Sequence, residues 1–314
     1  MYYRLYDMTV QSNIEFPQLY PCEFDNECEL KIDIEISVIE GNKLQKRFSD
    51  ILEKDGNWGF TENGLWFSNN AGVFLLETIN DVSSMICERF EGTSDSVIRS
   101  FMLGNCIAVI MTQRKKLVLH GSSILIGDTT ALICGDSGTG KSTLSMALLD
   151  NGGKLMADDI SVLDVIDDQV YSLPGFPEQK LCRDAALDNG LDLNELTYID
   201  EDRDKFSVDR SEIFINEKHK ADVMFSLHIV SAKHAGDKFE NGVLINEIVG
   251  AEKVNAITDR FFLEWLYGKN FILEPSEMMK VFAMAGQIRV FDITRVQGVD
   301  TKEYLVKRIL ELLR

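Results

Sequence analysis

The alternation of apolar and polar residues predicts two regions along the chain. Residues 29–38 alternate with a period of two, which is typical of a half-buried β-strand, and residues 65–76 predict a β-hairpin. From Leu117 onward, short apolar segments alternate with helical patterns, as in an α/β core. We therefore expect a β-rich N-terminal domain over residues 1–95 and a second domain over residues 96–314.

Helical patterns appear at the junction of these regions and at the end of the chain. A helix is predicted from about residue 96 to 113; its apolar run, residues 101–112, is too short to span a bilayer and predicts a buried helix. Apolar residues at helical spacing predict a docked helix within residues 301–314. Two polar stretches, residues 186–204 and 231–242, are predicted surface loops, and the first is a candidate flap over a site.

The composition narrows the classes of function and partner. With 314 residues, 45% of them hydrophobic, the chain is large enough for about two domains with full cores. Its net charge of −19 argues against nucleic acid and anionic membranes, which are bound chiefly through Lys and Arg. The six cysteines form no CxxC pair and the four histidines show no ligand spacing, so we expect reduced thiols, no zinc site and a cytoplasmic protein.

One motif indicates nucleotide chemistry. Residues 135–143 match the GxxxxGK[ST] pattern of a phosphate loop and follow an apolar strand, residues 130–134. Its glycines let backbone N–H groups face phosphates, and the dipole of the following helix favours an anion there. Lys141 would reach the β- and γ-phosphates of ATP, and the Ser142 hydroxyl would take one Mg²⁺ position. The loop consists of Gly135, Asp136, Ser137, Gly138, Thr139, Gly140, Lys141, Ser142 and Thr143.

An acidic pair, Asp158 and Asp159, follows the phosphate loop at the end of an apolar segment. Nucleotide-binding folds place their Mg²⁺ carboxylate in this position. One carboxylate is sufficient for the metal, so the other is free to accept a proton from an attacking hydroxyl. Because adjacent residues on a strand point to opposite faces, both reach one site only where the strand ends and the chain turns. A solvated acidic turn is the alternative interpretation.

Three segments resemble the nucleotide domain of HPr kinase/phosphorylase, a bacterial serine kinase whose fold is related to phosphoenolpyruvate (PEP) carboxykinase. They are LVLHGSSILI from Leu117, ALICGDSGTGKSTL from Ala131 and GGKLMADDISVL from Gly152, and the likeness covers residues 115–165. The resemblance implies an α/β fold with a P-loop nucleotide-binding core of the HPr kinase/PEP carboxykinase type. It also implies ATP and Mg²⁺ as cofactors and raises the expectation of a homo-oligomer.

The resemblance also implies roles for individual residues. Lys141 and the loop amides would hold ATP, while Ser142 and Asp159 would lie near Mg²⁺. Asp158 would be the base for a substrate serine, with His120 beside it. The sequence leaves open whether the two aspartates exchange these roles. A lone histidine in a strand is otherwise most often structural.

The sequence after the acidic pair departs from HPr kinase. The EIRGLG-type segment that serves the phosphorylase reaction is absent; residues 173–184 instead resemble the PGxPxxRLW segment of HPr-kinase-like proteins of biosynthetic gene clusters, such as lasso-peptide precursor kinases. Lys180 and Arg183 lie in this segment. Lys205 lies in residues 204–206, which resemble a later, lysine-containing segment of the same group. These cations are candidates for stabilising the charge on a transferring phosphoryl group, or are solvated surface charges.

The residues support three hypotheses about function. The first is an ATP- and Mg²⁺-dependent kinase that transfers the γ-phosphoryl to a hydroxyl, and the expected acceptor is a serine of a peptide or protein. The second is a small-molecule kinase on the same fold. The third is a non-catalytic, nucleotide-gated binding or maturation factor, which would be expected to lack one of the two acids. The β-rich N-terminal domain is the candidate for partner recognition.

Overall fold

The computed structural model is a mixed α/β protein that divides into two compact units. It describes residues 1–22, 31–52, 57–188, 190–194, 196–199, 204–234, 236–263 and 273–314. The units are Met1–Lys116 and Leu117–Arg314, so the division lies later than the expected boundary between residues 95 and 96. The reason is that the helical segment before Leu117 packs on the sheet of the first unit.

The first unit is built on an eight-stranded mixed sheet. Its described strands, in chain order, are β1 (Tyr2–Leu5), β2 (Met8–Ser12), β3 (Tyr20–Pro21), β4 (Ile34–Ile39), β5 (Trp58–Phe60), β6 (Gly64–Ser68), β7 (Gly72–Ile79) and β8 (Val82–Arg89), and they are arranged in the order β3-β1-β2-β4-β8-β7-β6-β5. The predicted hairpin is confirmed, since β6 pairs antiparallel with β7. The strand predicted over residues 29–38 appears as β4, and its residues 29–30 lie outside the described part.

Two helices and a wider turn follow this sheet. In addition to α1 (Lys43–Leu52), the unit has α2 (Asp95–Phe101), a π-helical turn over Met102–Cys106, and α3 (Ile107–Gln113), so the predicted helix is confirmed. Gln113 anchors its end to the sheet, because Nε2 donates to the Leu76 carbonyl and Oε1 accepts from the Thr78 hydroxyl. By length and composition Asp95–Gln113 meets the criteria for a membrane span, but 56% of its most apolar window is buried inside the protein, as in a core helix.

The second unit alternates strands and helices around another eight-stranded sheet. Its described strands are β9 (Leu117–Ile126), β10 (Thr129–Gly135), β11 (Lys154–Ala157), β12 (Ile160–Ile166), β13 (Gln169–Leu173), β14 (Glu178–Cys182), β15 (Thr197–Ile199), β16 (Lys205–Asp209), β17 (His219–Val230), β18 (Val243–Ile248) and β19 (Arg289–Val296). Its described helices are α4 (Lys141–Asp150), α5 (Arg183–Asp188), α6 (Glu252–Thr258), α7 (Pro275–Gln287) and α8 (Lys302–Leu312). The last of these confirms the predicted C-terminal helix.

The sheet of the second unit is mixed and packs helices on both faces. Its order is β10-β9-β12-β13-β17-β19-β18, with β11 paired to β9 and a further parallel pairing between β10 and β17. Residues of α4 and α8 share one buried cluster with the sheet, and residues of α6 and α7 share another. Because β10 is central and leads directly to α4, the segment between them is held at the end of a rigid strand.

A smaller sheet, in the order β14-β16-β15, completes the second unit. It contains part of the stretch 186–204 that was predicted as a surface loop, since α5 extends to Asp188 and Thr197–Ile199 pair with β16. Residues 189, 195 and 200–203 of that stretch lie outside the described residues. The short strand was missed because three residues carry too little periodicity to predict a pairing.

Candidate functional site

The phosphate loop joins the end of β10 to the start of α4. Its glycines adopt backbone angles that favour glycine, with φ of 149° at Gly135, 84° at Gly138 and 94° at Gly140. A Cβ atom at Gly135 would lie 2.6 Å from the Leu227 carbonyl oxygen, so this position also needs glycine for space. Gly140 is the N-cap of α4 and has no side chain to cap the first amides. The helix therefore begins with backbone N–H groups available to an anion.

Lys141 lies over the loop that precedes it. Its Nζ donates a hydrogen bond to the Asp136 carbonyl oxygen at 3.0 Å, and the Thr139 hydroxyl donates to the same oxygen at 2.7 Å. Burial lowers the pKa of Lys141, while the nearby Asp159 opposes that shift. Ser142 and Thr143 follow in the first turn of α4. The loop thus presents a partly buried ammonium and a helix N-terminus together, which fits the phosphates of a nucleotide.

The acidic pair lies in the turn between β11 and β12, as the sequence predicts. Asp159 has a left-handed backbone with φ of 66°, which ends the alternation of the strand at this point. The carbonyl oxygen of Asp159 accepts from the Gly121 N–H at 3.1 Å, which ties the turn to β9. Both carboxylates can therefore belong to one site although they are adjacent in sequence.

Asp158 is the buried member of the acidic pair. Its Oδ1 accepts from the Ser122 hydroxyl at 2.6 Å, and its Oδ2 accepts from the Lys180 backbone N–H at 2.8 Å. Ser122 in turn accepts from the hydroxyl of Ser145, which lies one turn after Ser142 in α4. Burial raises the pKa of Asp158, an effect that the hydrogen bond from Ser122 opposes and the charge of Asp159 reinforces. This carboxylate therefore faces the side of α4.

Asp159 is surrounded by basic side chains. His120 Nε2 lies 3.8 Å from its Oδ1, Lys205 Nζ 4.0 Å from the same atom, and Lys180 Nζ 4.0 Å from its Oδ2. Burial alone would raise the pKa of Asp159, but Lys205, Lys180, His120 and Lys141 together lower it to about 2. Its side chain is 21% exposed, so this carboxylate is both ionised and accessible.

The small sheet positions the two lysines of this cluster. Lys205 on β16 lies directly opposite Cys182 on β14. Cys182 is two residues after Lys180 on the same strand. Because side chains alternate along a strand, Lys180 and Lys205 point to the same face as diagonal neighbours. His120 lies on β9, where it is paired with Ile160, the residue that follows Asp159. Three separate stretches of sequence thus meet at one carboxylate.

Arg183, the third basic candidate, is directed elsewhere. Its guanidinium forms a hydrogen-bonded ion pair with Asp204 and lies over the Phe206 ring, 5.0 Å from the ring centre. Both charged groups are exposed to solvent, so this ion pair contributes little stability. The structure therefore brings together His120, Lys180, Lys205 and the acidic pair, and it leaves Arg183 in an exposed ion pair.

A divalent ion at this site would have few protein ligands. Among the described residues, no group of three or more His, Cys, Asp or Glu side chains is placed to hold a metal ion. The candidates from the sequence, Ser142 and Asp159, would supply two oxygens, and Mg²⁺ commonly takes the remainder from water and nucleotide phosphates. Two protein oxygens, one from Ser142 and one from the acidic pair, fit Mg²⁺ that is bound together with a nucleotide.

Two arginines near the phosphate loop were missed by sequence reasoning. Arg260 donates to the Asp136 carboxylate at 2.8 Å, and Arg295 donates to the Thr139 carbonyl at 3.0 Å. Both come from the last third of the chain, where no motif identifies them. Only the fold, which brings the segment after α6 and the strand β19 beside the loop, shows their proximity.

Comparisons with known proteins give a distant likeness to solved structures. No protein-family model matches the sequence, and no curated protein matches it. Among solved structures, the chain is similar to the Hpr(Ser) kinase/phosphatase from Coxiella burnetii, with 15% identity and a TM-score of 0.32 over 62% of this chain and 95% of that chain. That protein bears the name of the family which residues 115–165 resemble. A TM-score of this size carries no weight for function, so a functional conclusion rests on the site itself.

Proposed function

We propose that the protein is an ATP- and Mg²⁺-dependent phosphotransferase that acts on a hydroxyl, with a serine of a peptide or protein as the acceptor. The observation that carries this proposal is the position of Asp159. It is an ionised, accessible carboxylate between His120 and two lysines, in the same unit as a phosphate loop whose lysine affects its pKa. Phosphoryl transfer needs little more from a protein than positioning and charge stabilisation.

Each group has a role in this proposal. Lys141 and the first amides of α4 bind the nucleotide phosphates, and Ser142 helps to hold the metal. Mg²⁺, when bound with the nucleotide, neutralises phosphate charge. Lys180 and Lys205 stabilise the negative charge that grows on the phosphoryl oxygens during transfer.

The contacts favour Asp159 as the base and Asp158 as the acid near the metal, which is the reverse of the roles that the resemblance implies. Asp159 is the accessible acid beside His120, so we assign it as the group that orients the acceptor hydroxyl and receives its proton. Asp158 is linked through Ser122 and Ser145 to the helix that carries Ser142, so we place it on the metal side of the site. The serine acceptor is supported by the resemblance of residues 115–165 and 173–184 to serine and peptide kinases.

The test compares transfer with nucleotide binding in the wild type and two asparagine variants. The protein is incubated with γ-labelled ATP, Mg²⁺ and fractions of host peptides, proteins and small molecules, and label is followed on each. We expect Asp159→Asn to bind ATP while transfer falls by about 10²-fold or more. Asp158→Asn should retain more transfer than Asp159→Asn. Lys141→Ala should abolish or severely weaken ATP binding.

Each result has a separate meaning. Label on a serine supports the proposal, and label on a metabolite points to a small-molecule kinase. Tight ATP binding by the wild type without a labelled product in any fraction contradicts the phosphotransferase and favours a nucleotide-gated binding factor. Normal transfer by Asp159→Asn, together with its loss in Asp158→Asn, would reverse the assignment of the two acids.

A further inference from the structure

Arg260 approaches the phosphate loop from outside and has no part in the cluster around Asp159. Its side chain is 8% exposed, and its Nη1 donates to Asp136 Oδ1 at 2.8 Å. Its Nη2 lies 3.5 Å from Nε2 of His228, a ring that also lies 2.9 Å from Asp292. A buried guanidinium directed at the first turn of a phosphate loop is a candidate for binding anions.

The backbone holds Arg260 in register with His120. The carbonyl oxygen of Arg260 accepts from the His120 N–H at 2.8 Å, and the Phe262 N–H donates to the Val118 carbonyl at 2.9 Å. The rings of His120 and Phe262 pack with centres 5.3 Å apart. The segment after α6 thus adds to β9 as a short extra pairing, so Arg260 is positioned by the same strand as His120.

A small open pocket of about 150 Å³ lies between these groups. Its walls include Gly135, Asp136 and Ser137 of the loop, together with His120, Asp259 and Arg260. The pocket therefore touches the start of the phosphate loop on one side and His120 on another. Because His120 also lies 3.8 Å from Asp159, a phosphoryl group in this pocket would be close to the carboxylate assigned to the acceptor. In a nucleotide that phosphoryl is the terminal one, since it is the group that transfers.

The present partner of Arg260 can be displaced. The Asp136 side chain is 75% exposed, and an ion pair with so exposed a partner contributes little stability. Among the described residues, Nε of Arg260 is buried and has no hydrogen-bond partner, so the guanidinium is not fully satisfied by its contacts. A phosphate, with three oxygens and more than one negative charge, can replace a single carboxylate and accept a bidentate pair.

We propose that this pocket binds the terminal phosphoryl of the nucleotide and that Arg260 is the cation which holds it after leaving Asp136. The inference rests on the proposed function, since it assumes a nucleotide on the phosphate loop. It adds a phosphate-binding residue from the last third of the chain. It also gives a role to Asp136, the second residue of the loop, as the partner of Arg260 before the nucleotide binds. Arg260 pairs with Asp136 when no nucleotide is bound, and a bound phosphoryl group takes the place of the Asp136 carboxylate.

The test measures affinities for ATP and ADP, each with Mg²⁺, by titration calorimetry on the full chain. Arg260→Gln should weaken ATP binding by about tenfold or more and change ADP binding by less than about twofold, because a charge-assisted bidentate contact to the terminal phosphate is lost. Asp136→Asn should strengthen ATP binding more than ADP binding, because it removes the competing carboxylate. Arg260→Lys should retain part of the discrimination, as its charge remains but its fork does not.

Arg295→Gln is the matched control. Arg295 is a second arginine beside the loop and is half-buried, but its Nη1 donates to the Thr139 carbonyl and its Nε donates to the Thr301 hydroxyl, so it supports the backbone of the loop. Its loss should weaken ATP and ADP binding by similar factors. A merely structural Arg260 would behave in the same way.

The outcomes separate this inference from the proposed function. If the wild type binds neither nucleotide, the proposed function fails and the inference fails with it. If the wild type binds both and Arg260→Gln weakens both equally or neither, only the inference is overturned. If Arg260→Gln does not fold, Arg260→Lys and Asp136→Asn decide: unchanged discrimination between ATP and ADP in both variants overturns the inference.

Discussion

Replacement of Asp159 by asparagine tests the electrostatic description of the site through stability. Asparagine keeps the shape of the side chain and tolerates the left-handed backbone found at this position, where φ is 66°. It removes the negative charge that lies within 4.0 Å of Lys180 and Lys205 and 3.8 Å from His120. The change therefore alters the charge of the cluster with little effect on its geometry.

The size of the effect follows from the pKa of Asp159. The surrounding cations outweigh burial and lower this pKa from 3.8 to about 2 in the folded protein. At roughly 1.4 kcal/mol per pKa unit, the ionised carboxylate contributes about 2 kcal/mol to the free energy of unfolding. Because the folded pKa is the lower one, this contribution is fully present above pH 4 and is lost as the pH falls toward 2; about half remains at pH 3.

The assay is thermal unfolding of the wild type and Asp159→Asn, followed by circular dichroism and calorimetry from pH 7 to pH 3. For a unit of 150–250 residues, about 2 kcal/mol corresponds to a decrease in Tm of roughly 4–8 °C at neutral pH. The difference between the two proteins should shrink as the pH approaches 3. Asp136→Asn serves as the exposed control and should change the Tm by about 2 °C or less, as expected for an ion pair that contributes up to about 0.5 kcal/mol.

Asp158→Asn extends the comparison, because the charge of Asp158 opposes folding whereas the charge of Asp159 stabilises the folded protein. Burial raises the pKa of Asp158, so its ionised form opposes folding at neutral pH. The amide can keep both contacts if the Ser122 hydroxyl rotates to accept, while the amide oxygen accepts from the Lys180 N–H. Asp158→Asn should therefore lower the Tm less than Asp159→Asn, or raise it. Equal decreases in both variants, or no decrease in Asp159→Asn, would refute the charge distribution described here.

Two further predictions concern the loop and the thiols. Gly135→Ala should fold poorly or lose nucleotide binding, because φ is 149° and the added methyl would lie 2.6 Å from the Leu227 carbonyl oxygen; binding equal to the wild type in calorimetry would contradict this. Burial raises the pKa of Cys87 and of Cys134 to about 12. Alkylation at pH 8, read by mass spectrometry, should therefore modify the exposed Cys182 well before either of them, and the reverse order would be inconsistent with their burial.

Much of the fold near the phosphate loop was predictable from the sequence. The apolar strand, the glycine-rich turn and the helix are local features, and they appear as β10, the loop and α4. The predicted boundary lies before the division between the compact units, because the helix over residues 96–113 has no sequence pattern that shows which sheet it covers. That choice depends on non-local contacts such as the hydrogen bond from Gln113 to the Leu76 carbonyl.

The candidate site was predictable only where its residues belong to motifs. The acidic pair and Lys141 stand in recognisable patterns, and Lys180 and Lys205 entered through a family likeness. Arg260 lies in a segment that becomes adjacent to β9 through a two-residue pairing, and no periodicity predicts such a pairing. The fold thus adds those parts of the site that come from unrelated stretches of sequence.

The backbone at Asp159 explains how two neighbouring acids can serve one site in different roles. In a regular strand, residues 158 and 159 would face opposite sides of the sheet, and only one could reach the phosphate loop. The left-handed φ of 66° at Asp159 interrupts the strand, so that Asp158 stays buried toward α4 while Asp159 emerges among the cations. Their pKa values consequently move in opposite directions, one raised by burial and the other lowered by Lys205 and Lys180 against it. Such a separation of two carboxylates by environment is consistent with the different roles that we propose for them.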